Sequence, residues 1–449
     1  MKALYDFDRE IANLIENEEK RQETTLGMIP SESFTIPAVR EALSSVFVHK
    51  YAEGEIGNRY YEGNLYADQV EELCKKRVRL AFGLPSDWGV NVQAHSGCNA
   101  NLAVYNALLS PGDLILSMYL PDGGHLSHGW SIPAQEERSR NYESEHIYLG
   151  GSRKVSIVSK FYRVVQYKVE EDTQVFDYNK IEDIARKYNP KMIISGGTAY
   201  PRNIDYGLLK GIADSVGAYY LADVSHEAGL ISSGVLESPV NIADVVTFTT
   251  HKTLRGPRGA IILSNGSISN RINSSVFPSI QGGPHLHSIS AIAVSLKYAL
   301  TDQFKQYAFQ TVKNAKALAD NMINLGYDVV SHGTDKHLLL IDLRKDSISG
   351  KKAAEILNVA GIVLNKNTVP NEDGSSSNPS GIRMGTPILT IRGMKEKEMK
   401  QIAIYIDEIL MDSKTYINED DYMKFAHKSE VIEKVRRGVQ DLCIKYPLQ

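Results

Sequence analysis

Three cysteines in 449 residues, none in a CxxC pair, are too few for a disulfide framework and badly placed for a zinc module. Cys74, Cys98 and Cys443 suit a reducing compartment. Excess charge is missing too. Lys and Arg total 50 against 54 for Asp and Glu, so neither a basic nucleic-acid face nor an acidic disordered tail is expected. No apolar run approaches the roughly 18 residues of a membrane-spanning helix. The opening stretch MKALYDFDREIANLIENEEKRQ is charged and has no apolar signal core. Tandem repeats are absent. These absences predict a cytoplasmic protein with neither membrane nor nucleic acid as partner. A chain that is 42% hydrophobic can bury a large core, and its length predicts more than one domain.

Residues 7 to 22 read as an amphipathic helix with Phe7, Ile11, Leu14 and Ile15 on one face. The expectation is a helical arm over residues 1–28, docking on a partner subunit. From about residue 90 to 265, apolar runs (LILSMYL, KMIISGG, AYYLAD, VVTF, GAIILS) alternate with helix-like segments such as NANLAVYNALL and DYNKIEDIARKY. That alternation predicts an α/β domain over 29–300, built on a mostly parallel sheet whose ligands sit at the carboxyl ends of the strands. Residues 131–152 interrupt it with a polar stretch that reads as a surface insertion. Residues 301–449 read as a smaller α+β domain, with PNEDGSSSNPS as a flexible loop.

Four features at the expected strand ends bear chemistry. Lys252 closes the run VVTFTTH and precedes Arg255 and Arg258. Desolvation and like charge there lower an amine's pKa, and a neutral lysine can form a Schiff base. Asp223 ends YYLAD, where a partly desolvated carboxylate needs a cationic partner such as a protonated pyridine nitrogen. HSGCNAN sets Ser96, Gly97 and Cys98 before a helical run, a turn whose N–H groups suit a phosphate. His125, in PDGGHLSHG, can stack on a planar ring. With His128 it also suggests a metal pair, but no third ligand is spaced to complete a zinc site, so no metal is expected. Each feature alone has a plain reading: a solvated lysine, a structural aspartate, an ordinary N-cap, a packed histidine. Together they point to pyridoxal phosphate anchored on Lys252. A dinucleotide-binding oxidoreductase is excluded by the lack of GxGxxG after a strand.

The stretches LGMIPSESFTIPAVREAL, KYAEGEIGNRYYEGN, NVQAHSGCNANLAVYNALL, DGGHLSHG, DVSHEAG, TTHKTLRGPRG, NSSVFPSIQGGPH, LNKNTVPN and GIRMGTP occur in this order along nearly the whole chain. In them the sequence resembles the serine hydroxymethyltransferase family, pyridoxal-phosphate enzymes of fold type I. The resemblance implies reversible transfer of the serine hydroxymethyl group to tetrahydrofolate, giving glycine. It also implies roles. Lys252 would hold the cofactor, Asp223 would pair with its ring nitrogen and His125 would stack on the ring. Thr198 and His226 would contact the phenolic oxygen, with His251 in the cofactor set. Ser96, Gly97 and Cys98 would cradle the phosphate, completed by Tyr51 and by Gly282 and Gly283 of a neighbouring subunit. Arg383 would clamp the amino acid carboxylate, helped by Ser31. Glu53, the expected acid–base group, and Tyr61 would reach the substrate across the dimer interface. Leu120, Gly124 and Asn367 would line the folate path. A homodimer with shared sites is therefore expected, with tetramer formation left open. Departures from the family pattern include Glu55-Ile56-Gly57 for Tyr-Pro-Gly, Glu62 for a glycine, Cys98-Asn99 in the phosphate turn and Ser33 for Asn. A folate-independent aldolase for β-hydroxy amino acids is the alternative activity; it would need Lys252 and Arg383 but not Glu53 or Asn367.

Overall fold

The computed structural model describes residues 2–132, 145–147, 153–372 and 377–448. It divides into two compact units, one of residues 33–309 and one of residues 1–32 with 310–449.

Residues 33–309 are built on an eight-stranded sheet. Its strands are β1 (Gly89–Asn91), β2 (Leu114–Met118), β3 (Glu145–Ile147), β4 (Arg163–Tyr167), β5 (Met192–Ser195), β6 (Tyr219–Asp223), β7 (Val245–Thr249) and β8 (Ala260–Ser264), in the spatial order β1-β8-β7-β6-β5-β2-β4-β3. The five strands β4, β2, β5, β6 and β7 run parallel, while β8 and β3 run antiparallel to their neighbours. Strands covered on both faces read as unbroken apolar runs rather than alternating ones. LILSM and VVTFT are buried at every position. Four neighbouring strands, β7, β6, β5 and β2, end respectively at Thr249, Asp223, Ser195 and Met118. The loops that follow therefore open on one edge of the sheet, and they carry Lys252, Asp223, Thr198 and His125. Gly196, at the end of β5, has φ +113, and a Cβ on it would overlap the Asp223 carbonyl oxygen. Only glycine lets these two strand ends approach so closely.

In the second unit, β9 (Asp328–Val329), β10 (Leu338–Asp342), β11 (Asn365–Asn367) and β12 (Gly381–Gly385) form an antiparallel sheet in the order β9-β10-β12-β11. Helices Gly350–Val359, Glu396–Ser413 and Glu430–Lys445 contribute Ile356, Ile402, Ile406, Val435 and Val439 to its core. The N-terminal segment belongs here as well. Leu26–Gly27 pairs with Ile362–Val363, Leu26 and Met28 are fully buried, and the Arg392 guanidinium bonds the carbonyls of Gln22, Glu23 and Thr25. Of the helix Arg9–Thr24 only Ala12 is buried, and Phe7, Ile11, Leu14 and Ile15 are exposed. No helix among the described residues is long and apolar enough to cross a membrane.

The insertion begins and ends as a two-stranded ribbon, Ser131–Ile132 pairing with Arg153–Lys154, and residues 145–147 add β3 to the sheet edge. Its residues 133–144 and 148–152 lie outside the described residues, as do 373–376 of the loop near residue 375.

One buried charge network shapes the segment that carries Tyr51, Glu53 and Tyr61. Arg59, with its side chain 3% exposed, pairs with Asp68 and with the fully buried Glu71, both at 2.7 Å. It also donates to the carbonyls of Ala52 and Gly54. Gln93 bonds both Glu71 oxygens and the Gly54 carbonyl, and Lys75 closes on Glu71 at 2.9 Å. Lys75 also meets Glu55, one of the departures from the family pattern, at 3.5 Å. Removing one partner of such a network strands a desolvated charge. Arg59→Ala is expected to lower stability by about 3–5 kcal/mol, read from the urea midpoint; a loss below about 1 kcal/mol, the range of a surface pair, would contradict this placement.

Candidate active site

Asp223 ends β6 with 7% exposure and four hydrogen bonds to its carboxylate. Oδ2 accepts from His128 Nε2 at 2.9 Å and Asn101 Nδ2 at 2.8 Å; Oδ1 accepts from the Ser225 N–H at 3.1 Å and its hydroxyl at 2.6 Å. Burial pushes the carboxyl's pKa up, but the His128 bond, the charges of His128 and His125 and the Ser225 hydroxyl together hold it well below the usual carboxylate range. Asn101 is the joint of this arrangement. It sits on the Gly97–Leu108 helix, donates also to the Ser127 hydroxyl, and accepts from Thr247 of β7 at 2.7 Å. His125 caps the short turn at 126–128: its Nδ1 accepts the Ser127 N–H at 3.1 Å. The fold thus brings Asp223 to the two histidines, with one ligand-type atom of each within 4.8 Å of the others, a triad that linear spacing does not disclose. Those groups are bonded to one another, to Asn101 and to the serines.

Ser96 caps the Gly97–Leu108 helix, accepting the Asn99 N–H and donating to the Asn99 side chain at 2.8 Å. A Cβ on Gly97 would come within 2.7 Å of the Thr249 methyl, so only glycine seats this helix start against the end of β7. The Cys98 thiol follows. Burial and the Asp223 charge raise its pKa, opposed by Lys252 and by a bond to Ser127.

Lys252, 8% exposed, lies just past β7 in a loop tied by the Gly256 N–H to Thr250 and the Arg255 N–H to Lys252 itself. The sequence reading placed both following arginines against this amine. The structure corrects that for Arg255: its guanidinium bonds the Phe34 carbonyl and the Tyr298 hydroxyl and lies over the Tyr298 and Tyr307 rings. Arg258 meets His251 at 3.3 Å. Burial first, then Arg258 and Lys252, lower the His251 pKa to about 3, so this imidazole is neutral. The buried His226 offers its carbonyl to the Thr253 hydroxyl. Thr198 donates its N–H to Gly123 and its hydroxyl to the Gly124 carbonyl.

A second group lies on the same unit. A Cβ on Gly282 would sit 3.2 Å from Glu53 Oε1, and one on Gly283 would sit 3.5 Å from the Tyr51 ring. The Tyr51 and Tyr61 rings meet edge-on at 5.2 Å, and both are exposed. Within one chain, Gly282 and Gly283 therefore face Tyr51 and Glu53. His95, next to Ser96, bonds the Gly283 carbonyl at 3.1 Å and stacks on His285.

Arg383, Ser31 and Asn367 belong to the other unit. Arg383 stands mid-strand in β12, 8% exposed, with Nε bonded to Asn365 at 2.9 Å. Burial lowers its pKa to about 10, which leaves it charged at neutral pH. Ser31 is half-buried, and Asn367 donates to the Thr368 carbonyl.

The donor set around Asp223 fits pyridoxal phosphate. It has a carboxylate kept ionised to face a ring N–H⁺, a buried amine for an aldehyde, and a glycine-lined helix start for a phosphate. Residues 4–406 match the serine hydroxymethyltransferase family as a whole. The chain is also 43% identical to the serine hydroxymethyltransferase of Caenorhabditis briggsae, across 96% of this chain and 86% of that protein. It is likewise 43% identical to that of Caenorhabditis elegans, across 98% and 88%. The chain belongs to the serine hydroxymethyltransferase family. It is a pyridoxal-phosphate-dependent transferase of fold type I that interconverts serine and glycine with tetrahydrofolate, and nothing in these likenesses favours the aldolase.

Members of the site that the sequence reading passed over are Asn101, Ser225 and Thr247, which hold Asp223; outside the site, the DGGH turn buries Asp122. The sequence does not single out Asn101, because the same helix also carries Asn99 and Asn106. Asp122 is 5% exposed; burial, offset by Lys168 and by the Val169 N–H, raises its pKa to about 7. An acid whose folded pKa lies above its unfolded value stabilises the fold fully below the unfolded pKa, about 4. That contribution is lost as pH rises through the folded value. The stability difference between Asp122→Asn and wild type should therefore move in favour of the variant between about pH 4 and 7, then level off. Urea midpoints across this range check it, and a pH-independent difference would contradict it.

Proposed function

We propose that Lys252 carries the cofactor, Asp223 holds its ring nitrogen protonated, His125 covers one ring face and Ser96, Gly97 and Cys98 receive the phosphate. Thr198, His226 and His251 line the same pocket. The observation that carries this reading is the convergence of Lys252, Thr198 and His125, from neighbouring strand ends, and of the helix start at Gly97, which seats on Thr249, around one ionised, buried carboxylate. When bound, pyridoxal phosphate supplies an electron sink for the electron pair left when a bond to the amino acid's α-carbon breaks.

The chain's own residues do the remaining work. Asp223, ionised over the whole physiological range, keeps the positive charge on the ring nitrogen at low cost. His251, neutral beside Lys252, adds no positive charge to that loop. Arg383 and Ser31 take the substrate carboxylate, and a charged, planar guanidinium fixes its direction. That fixed direction aligns the bond to be broken. Glu53 moves the proton that accompanies loss or gain of the hydroxymethyl group, with Tyr61 beside it. Leu120, Gly124 and Asn367 line the approach of tetrahydrofolate.

The working unit is a homodimer in which Tyr51, Glu53, Tyr61, Gly282 and Gly283 complete the partner's site. The exposed Tyr51 and Tyr61 rings and the exposed apolar side chains of Phe7, Ile11 and Leu14 support this reading. The compartment is the cytoplasm.

Borohydride reduction followed by peptide mass spectrometry should find the phosphopyridoxyl group on Lys252; a mark on another lysine would overturn the anchor. Arg383→Ala should raise the serine KM roughly 30-fold or more, matching about 2 kcal/mol for an unpaired charge, and an unchanged KM would remove it from the carboxylate site. Co-expressed Lys252→Ala and Glu53→Gln chains, each inactive alone, should recover about a quarter of wild-type activity. Half of the dimers are then mixed, with one native site in each. No recovery would place Glu53 in the same subunit's site or outside the chemistry.

A further inference from the structure

The turn that leaves β2, residues Tyr119 to His125, is held at one end by shape. Gly123 has φ +118, and a Cβ there would come within 2.8 Å of the Tyr200 nitrogen. A Cβ on Gly124 would overlap the Met118 carbonyl. Thr198 then grips the carbonyls of Gly123 and Gly124. The other end, with Leu120, has no such jam. Leu120 is half-buried, and its carbonyl accepts the Gly123 N–H at 3.0 Å within the turn. What ties this end outward is the segment just past β4. The Tyr119 N–H donates to the Tyr167 carbonyl at 2.9 Å, and the Val169 N–H donates to Asp122 Oδ2 at 3.1 Å. Lys168 adds its charge and lies over the Tyr119 ring at 4.9 Å.

What the turn needs from residue 122 is an acceptor for the Val169 N–H, not a charge. An amide of the same shape would accept the same N–H without the cost of desolvating a carboxyl. Fixing this turn is a positional task, because it presents Leu120 on one side of Asp122 and Gly124 on the other.

We infer that Asp122 is a positioning residue for the tetrahydrofolate path, pinning the Leu120–Gly124 turn to the backbone of Val169. This rests on the reading that Leu120 and Gly124 line that path. Asp122 touches no substrate in this account. It acts through the loop, so its loss should appear in the folate KM and not in chemistry on the amino acid.

The test compares Asp122→Ala, which lacks the acceptor, with Asp122→Asn, which keeps it, and with Leu120→Ala. Each is assayed for serine conversion with tetrahydrofolate and for folate-independent cleavage of a β-hydroxy amino acid. Asp122→Ala should raise the tetrahydrofolate KM about tenfold or more while leaving folate-independent cleavage within about twofold, and Asp122→Asn should restore a KM near wild type. Equal losses in both reactions, or an Asn variant as impaired as Ala, would overturn the inference. If Leu120→Ala raises the folate KM and Asp122→Ala does not, the inference falls and the folate path stands. If neither raises it, the folate path itself is misread. Should Asp122→Ala not fold, hydrogen exchange on the wild-type holoenzyme decides. Glycine with tetrahydrofolate should slow exchange of the Val169 amide, since coupling between loop and ligand is reciprocal; an unchanged rate would overturn the inference.

Discussion

A carboxylate kept ionised inside the protein is the constraint on which the rest of this site depends. Asp223 is almost wholly desolvated, and a bare charge in that position would be neutralised by taking up a proton. It stays charged because His128, Asn101 and Ser225 spend their donors on it. Those donors come from three separate pieces of chain: the turn after β2, the helix after β1 and the loop after β6. Each piece must then be exact in its own right. Asn101 needs Thr247 of β7 as an acceptor-side partner, and the helix that carries it needs Gly97 so that it can seat against Thr249. One charge thereby fixes the relative placement of four strand ends, and those ends carry Lys252, His125 and the turn at Ser96.

The same logic, a desolvated charge surrounded by donors, recurs at Glu71. There it stiffens the ribbon around Gly54 that presents Tyr51 and Glu53. Both networks are costly if broken and contribute little if merely counted as ion pairs. Their value is positional. Each holds a short segment of chain in place.

Much of this was legible in the sequence. Parallel strands buried on both faces write themselves as LILSM, MIIS, YYLAD and VVTFT, and chemistry-bearing residues directly after such runs stand at strand ends. Lys252 and Asp223 were readable for that reason. What stayed hidden was non-local. The sequence puts Arg255 three residues from Lys252, yet its guanidinium goes to the carbonyl of Phe34, 221 positions away. Asn101 lies 122 residues from the carboxylate it serves. Residues 26 and 27 looked like the end of an arm, but they form a strand with 362 and 363, a pairing too short to leave a periodic signal. The third ligand-type group beside His125 and His128 was also invisible, since it is supplied by the far strand β6.

The central claim is that the buried, ionised Asp223 keeps the cofactor's ring nitrogen protonated. The most direct measurement is the nitrogen-15 chemical shift of cofactor labelled at that nitrogen, bound to the wild-type enzyme and to Asp223→Asn. The account predicts a protonated ring nitrogen from about pH 6 to 9 in the wild type, because a carboxylate this far below its usual range does not titrate there, and loss of that proton in the variant. An unprotonated nitrogen in the wild type, or one indifferent to the substitution, would contradict it.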